Sequence, residues 1–184
     1  QLDVPVIGFY HSDLPLLVSN RVGSWLGTNV EAYVSKLYGN FDRVLAPSRI
    51  MADKLIGLGV KNVYVQPLGV DLTTFTPALR DTRIRSEMGL SPNTRLLIFA
   101  GRGSPEKNIP VLLDCMKLLG ADFHLLLVGS HMPTQVPDNV SVVGHFCPAS
   151  EIARMLASAD ALLHAGDQET FGLVILEAMA SGIP

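Results

Sequence analysis

The sequence predicts an α/β protein with parallel sheets. Short apolar runs rich in β-branched residues alternate with helix-length segments, and four of those runs end in glycine-bearing turns. The composition agrees: 184 residues, 48% hydrophobic and 17% charged, hold enough apolar material for a sizeable core. No apolar run reaches the roughly 18 residues that a membrane span requires.

Taken in order, strands are expected at residues 4–9, 43–46, 63–66, 96–100, 123–128, 140–143 and 161–164. Helical patterns fill the intervals at 14–38, 48–58, 80–88, 109–119 and 150–158. Ser48 suits an N-cap and Gly59 a stop, while Ser150-Glu151-Ile152 opens a helix with an acidic first turn. A last helix is expected over 171–180, with Thr170 as its N-cap and Gly182-Ile183-Pro184 as its stop. Residues 69–92 break the rhythm. They carry Pro77 and Pro92, are mostly polar and lack strand periodicity, which places a domain junction near 69–76.

The formal net charge of −3 provides no electrostatic footprint for sequence-independent nucleic-acid binding. Cys115 and Cys147 form neither a metal-ligand nor a redox pair by spacing, so a reducing compartment is expected. The chain starts at Gln1, where no signal-peptide pattern is expected, and stops where an α/β unit would next supply a strand. A fragment of a longer protein is the expectation.

Chemistry concentrates at strand ends. After residues 96–100 comes Gly101-Arg102-Gly103-Ser104-Pro105-Glu106-Lys107-Asn108 and then an apolar helix. Such a turn can approach a phosphate closely and offer it backbone N–H donors, while Arg102 and Lys107 add positive charge. It is neither a Walker A loop nor a Gly-x-Gly-x-x-Gly fingerprint, and an ordinary turn bearing two solvated cations is an equal alternative. Gly129-Ser130, Gly144-His145-Phe146 and His164-Ala165-Gly166 mark further strand ends, and ligands of open parallel sheets bind outside such ends.

Glu169 lies beside this crevice, and Glu177 follows on the last helix. Either alone reads more often as a surface carboxylate. Eight positions at about 100° each separate them by roughly 80°, which argues against a dyad sharing a proton. The N–H groups of the helix start, between them, suit an anion or a polyol. His11, at the end of the first strand, could orient a substrate or exchange protons with it, although a lone histidine is more often structural. No His-Glu-x-x-His or Asp-x-Asp pattern supports a divalent-metal site.

These segments together resemble the retaining, metal-independent glycosyltransferases of family 4, which have the GT-B fold of two facing Rossmann-like domains. The matching pieces are Tyr10-His11-Ser12-Asp13, Asp42 to Ser48, Pro67-Leu68-Gly69-Val70-Asp71, Gly101-Arg102 with Pro105-Glu106-Lys107, and Glu169-Thr170-Phe171-Gly172 to Glu177. The resemblance implies three parts: 1–72 as the C-terminal part of an acceptor-side domain, 73–92 as a linker, and 93–184 as a truncated nucleotide-sugar-binding domain. It implies a catalytic set of His11, Arg102, Lys107 and Glu169. Arg102 and Lys107 would bind the donor diphosphate, and Glu169 the transferred sugar.

Donor contacts are implied at Gly101, Gly129, Ser130, His145, Phe146, Phe171, Gly172 and Leu173, with Glu177 on the ribose. The implied reaction moves a hexose, mannose first, from a GDP- or UDP-sugar to a lipid or carbohydrate acceptor with retention and no cofactor. A cytoplasmic location is implied, with peripheral association at the inner membrane face. The departure His164-Ala165-Gly166-Asp167-Gln168 from the commoner Pro-Ser loop leaves the donor sugar open. A GT-B sugar-nucleotide epimerase and a non-catalytic nucleotide-sugar binding module are the alternatives.

Overall fold

A computed structural model describes residues 4–22 and 24–184, with the side chains at 17, 20–22 and 24–28 outside the description. Contacts divide the chain into two units, Gln1–Leu68 and Gly69–Pro184. In the first, β1 (Ile7–Phe9), β2 (Arg43–Ala46) and β3 (Val63–Val65) form a parallel sheet in that order. The helix expected over 14–38 is two helices, α1 (Leu14–Val22) and α2 (Ser24–Tyr38), and their boundary at residue 23 lies outside the described residues. In α3 (Arg49–Gly57) the Ser48 hydroxyl accepts the Met51 N–H at 3.3 Å, which is the expected cap. Val44, Ala46 and Leu55 are fully buried between sheet and helix.

Asp13 fixes the turn that follows β1. Both of its carboxylate oxygens accept from Lys54 Nζ of α3 at 2.7 Å, and Oδ1 also accepts from the Tyr10 hydroxyl and the Leu16 N–H. Asp13 is buried, so this pairing offsets the cost of desolvating its charge. Burial, followed by the Asp13 charge, pushes the Tyr10 phenol well above its ordinary value.

The second unit is a parallel sheet ordered β6-β5-β4-β7. Its strands are β4 (Arg95–Ala100), β5 (Phe123–Val128), β6 (Val140–Val143) and β7 (Ala161–Leu162). The helices are α4 (Arg83–Glu87), α5 (Ile109–Leu119), α6 (Ala149–Ser158) and α7 (Leu173–Ala180). Strand residues alternate between two cores. Leu96, Ile98, Ala100, Leu126 and Val128 join Leu156 of α6 and Ala178 of α7, while Leu97, Phe99, Leu125 and Leu127 join Ile109, Leu112 and Met116 of α5. Both faces of β4 and β5 are thereby covered, which is why they read as continuous apolar runs.

The chain steps outward from β4 to β5 to β6, then returns to lay β7 on the other side of β4. That reversal makes the carboxyl ends of β4 and β7 the switch point of the sheet, where such folds open a crevice.

Residues 73–92, expected as a linker, are instead part of the second unit, and the boundary between the units falls after Leu68. Phe75 and Ile84 are buried with Leu96 and Met155. The segment lacks a strand period because its apolar residues are set by turns. Asp71 holds one such turn by accepting from the Thr73 and Thr74 hydroxyls at 2.7 Å, bonds that hold its carboxyl at about 2. The helix expected over 80–88 is reduced to α4, preceded by a 3-10 turn at Pro77–Leu79.

Asp160 joins this segment to the sheet, accepting from Arg85 at 2.7 Å and from the Leu96 N–H at 2.8 Å. Burial would raise its pKa, but these bonds and the arginine charges outweigh it and hold the carboxyl below the ordinary 3.8. A carboxylate so depressed contributes stability that is present above its unfolded pKa and lost as pH falls through the folded one. Asp160→Ala is therefore expected to cost about 2 kcal/mol near pH 7. In urea unfolding, its deficit against the parent should shrink once the pH is taken below 3.8.

Candidate active site

The loop after β4 is laced to the end of β5. Gly101 donates its N–H to the Val128 carbonyl and Gly103 donates to the Ser130 carbonyl, both at 2.9 Å. A Cβ on Gly129 would stand 1.9 Å from the Gly101 carbonyl oxygen, and one on Gly103 would stand 2.3 Å from that of His131. Only glycine permits this approach. The chain then makes a 3-10 turn over Pro105–Lys107, passes through Asn108 in the left-handed region (φ 51, ψ 40) and enters α5.

The loop after β7 meets it across the switch point. Lys107 Nζ forms a close ion pair with Glu169 Oε1, and His164 Nε2 lies 2.9 Å from the same oxygen. Asn108 Nδ2 donates to the Ala165 carbonyl at 2.9 Å. Gly166 packs so near the His164 ring that a Cβ there would come within 2.8 Å of it. The three side chains of this cluster are mostly shielded, with 20% of Lys107, 27% of Glu169 and 13% of His164 exposed. Screening by water is reduced accordingly.

Helix α7 begins at Leu173 rather than Phe171. Gly172 (φ 78, ψ 51) occupies the N-cap position expected for Thr170, because a left-handed residue is what turns the chain from this loop into the helix. Its carbonyl accepts from the Ile175 N–H at 3.0 Å, and the N–H groups of Leu173 and Val174, in the first turn, have no acceptor within the helix. Glu177 lies inside α7, and burial pushes its carboxyl up.

Two family descriptions match the chain: residues 81–184 match glycosyl transferases group 1, and residues 1–74 match glycosyltransferase family 4. The chain belongs to this glycosyltransferase family. A Mycobacterium tuberculosis protein named GDP-mannose-dependent alpha-mannosyltransferase is 31% identical over 100% of the chain and 49% of its own length. A second from that species, named GDP-mannose-dependent alpha-(1-6)-phosphatidylinositol dimannoside mannosyltransferase, is 33% identical over 79% of the chain and 40% of its own.

Among solved structures, Anabaena HepE in complex with UDP and glucose superposes with a TM-score of 0.78 at 22% identity, covering 98% of this chain and 52% of that one. WaaG, described as a glycosyltransferase involved in lipopolysaccharide biosynthesis, gives 0.77 at 18%, covering 98% and 56%. The fold is GT-B. The chain spans about half the length of the curated relatives it matches.

The other residues expected to serve a family member's donor site lie on the same sheet edge. Gly129 and Ser130 follow β5, and His145 and Phe146 follow β6, with Phe146 85% exposed. Arg102 does not join the Lys107 cluster. Its exposed guanidinium lies 3.8 Å from Glu106, whose carboxyl is held down first by the Ser104 hydroxyl. His11 follows β1 in the first unit, its ring 6.4 Å from that of Phe9.

His164 and Asn108 stand outside the set of site residues expected from the sequence. His164 did carry a signal, since it closes an apolar run and precedes a glycine turn. Among the described residues no group of three His, Cys, Asp or Glu is placed to hold a metal ion, and no helix is long and apolar enough to cross a membrane.

Proposed function

We propose that the protein transfers a hexose, mannose first, from a nucleoside diphosphate sugar to a lipid or glycan acceptor with retention at the anomeric carbon and without a metal ion. The observation that carries this is the shielded Lys107 ammonium held against Glu169 at the switch point of a family member's sheet. A diphosphate arriving there exchanges with Glu169 for Lys107, and the first-turn N–H groups of α7 add donors. Each well-placed donor stabilises the developing negative charge by a few kcal/mol.

Glu169, displaced from Lys107, accepts hydroxyl protons of the sugar in hydrogen bonds. Glu177 takes the ribose, and His11 belongs near the reacting sugar. The acceptor oxygen forms its bond to the anomeric carbon on the face from which the phosphate oxygen departs, and the acceptor proton passes to that oxygen. Mannose is favoured by the names of the two mycobacterial relatives. With a lipid acceptor the reaction belongs at the cytoplasmic face of a membrane.

The test mixes the full chain with GDP-mannose, UDP-glucose or ADP-glucose and a phosphatidylinositol mannoside. Release of GDP with an α-mannosylated product, its anomeric configuration read by proton NMR, is expected. Donor binding without release would leave the binding-module reading, and appearance of an epimeric sugar nucleotide would favour the epimerase.

A further inference from the structure

We propose that His164 is a positioning residue that holds Glu169 in its sugar-binding orientation once the donor diphosphate has drawn Lys107 away. This rests on the assignment of Glu169 to the sugar and of Lys107 to the diphosphate. In the present geometry one carboxylate oxygen, Glu169 Oε1, is shared between Lys107 Nζ and His164 Nε2. The two partners differ in what a donor does to them. Lys107 stands on the loop after β4 and is the group a diphosphate recruits, whereas His164 closes the run that begins with β7 and lies on the same loop as Glu169.

The ring of His164 is fixed on more than one side. Its side chain is 13% exposed, and Gly166 sits so close that any Cβ there would overlap the ring at Cε1. A carboxylate paired with an ammonium can only accept, so Nε2 must carry the proton that faces Oε1. The loop backbone is anchored separately, by the Asn108 carboxamide on the Ala165 carbonyl. Removing the imidazole thus leaves the loop in place and frees the Glu169 side chain alone. A long, flexible carboxylate without that anchor loses rotamer freedom on gripping a sugar, which weakens sugar binding and leaves the diphosphate contacts intact.

Calorimetry with GDP-mannose and with GDP, on the full chain and its variants, separates the outcomes. His164→Ala is expected to weaken GDP-mannose about tenfold, the loss of one hydrogen bond to a charged group. Its affinity for GDP should stay within about twofold, which also shows that the variant is folded. His164→Gln, whose Nε2 can reach the position of the imidazole Nε2, should restore most of the GDP-mannose affinity.

Equal loss of GDP and GDP-mannose in His164→Ala would overturn the inference, since a general loosening of the site lowers both. So would failure of His164→Gln to recover the difference. Glu169→Ala is the reference. If it lowers GDP-mannose selectively and His164→Ala does not, the positioning role alone is wrong, whereas if Glu169→Ala spares both ligands, the site assignment itself falls.

Discussion

Lys107→Ala is expected to lower the rate of sugar transfer by about two to three orders of magnitude, the usual consequence of deleting a preorganised donor to a developing negative charge. No other cation is placed as well among the described residues. Arg102 is 59% exposed and turned toward Glu106, while Lys107 is largely shielded and already occupies the point where the β4 and β7 loops meet. Because the interaction proposed for Lys107 is with the diphosphate, affinity for GDP and for GDP-mannose should fall together. Glu169→Ala should differ, weakening GDP-mannose while leaving GDP unchanged or tighter, since it removes the carboxylate that competes for the ammonium. Lys107→Arg should recover little, because a planar fork does not reproduce a compact point charge in a fixed recess. Transfer within threefold of the parent in Lys107→Ala would show that the leaving group is stabilised elsewhere.

The parts of this molecule that could be read from the sequence are those fixed by local periodicity. The runs 43–46, 123–128 and 140–143 and the helix 109–119 have the bounds expected; β5 reads as a continuous apolar run because both its faces are covered, and α5 buries Ile109, Leu112 and Met116 at helical spacing. The start of α7 was misread because Thr170 offers a hydroxyl cap while Gly172 offers a backbone conformation, and here the conformation prevails. The segment 73–92 shows no period in the sequence because Phe75 and Ile84 reach the core singly.

The site itself divides in the same way. Glycine-bearing turns after apolar runs could be found one at a time, but the pairing of Lys107 with Glu169 and of Asn108 with Ala165 comes from a strand order in which β7 returns to the far side of β4. Chain order does not encode that return. The roles given to Lys107, Glu169 and Glu177 came from resemblance to a family, whereas the contact of His164 with Glu169 is visible only in the folded chain.

Gly129→Ala is expected to be the most destabilising small substitution in the second unit, costing on the order of 3 kcal/mol or more. Gly129 has φ +132, a conformation that L side chains avoid, and its added Cβ would lie 1.9 Å from the Gly101 oxygen and 2.8 Å from the Gly101 carbonyl carbon. Neither neighbour can give way cheaply. The Gly101 N–H is bonded to the Val128 carbonyl and the Gly129 N–H to the Val143 carbonyl, so the ends of β4, β5 and β6 are tied together at this point. To admit the methyl group, the β4 and β5 ends must part by more than an ångström or so, since contacts under about 3 Å are not sustained in close-packed interiors. Lys107 travels on the same loop as Gly101. A folded remnant of the variant should accordingly bind GDP poorly, coupling a loss of stability to a loss of ligand that neither Lys107→Ala nor Asp160→Ala would show. Gly144→Ala is the matched control, because a Cβ there meets only Val142 Cγ1 at an ordinary 3.6 Å. Urea midpoints and GDP calorimetry on the two variants decide the matter: equal midpoints would mean that the β4 and β5 ends are not apposed as described, and the phosphate-binding role of their shared turn would have to be abandoned with them.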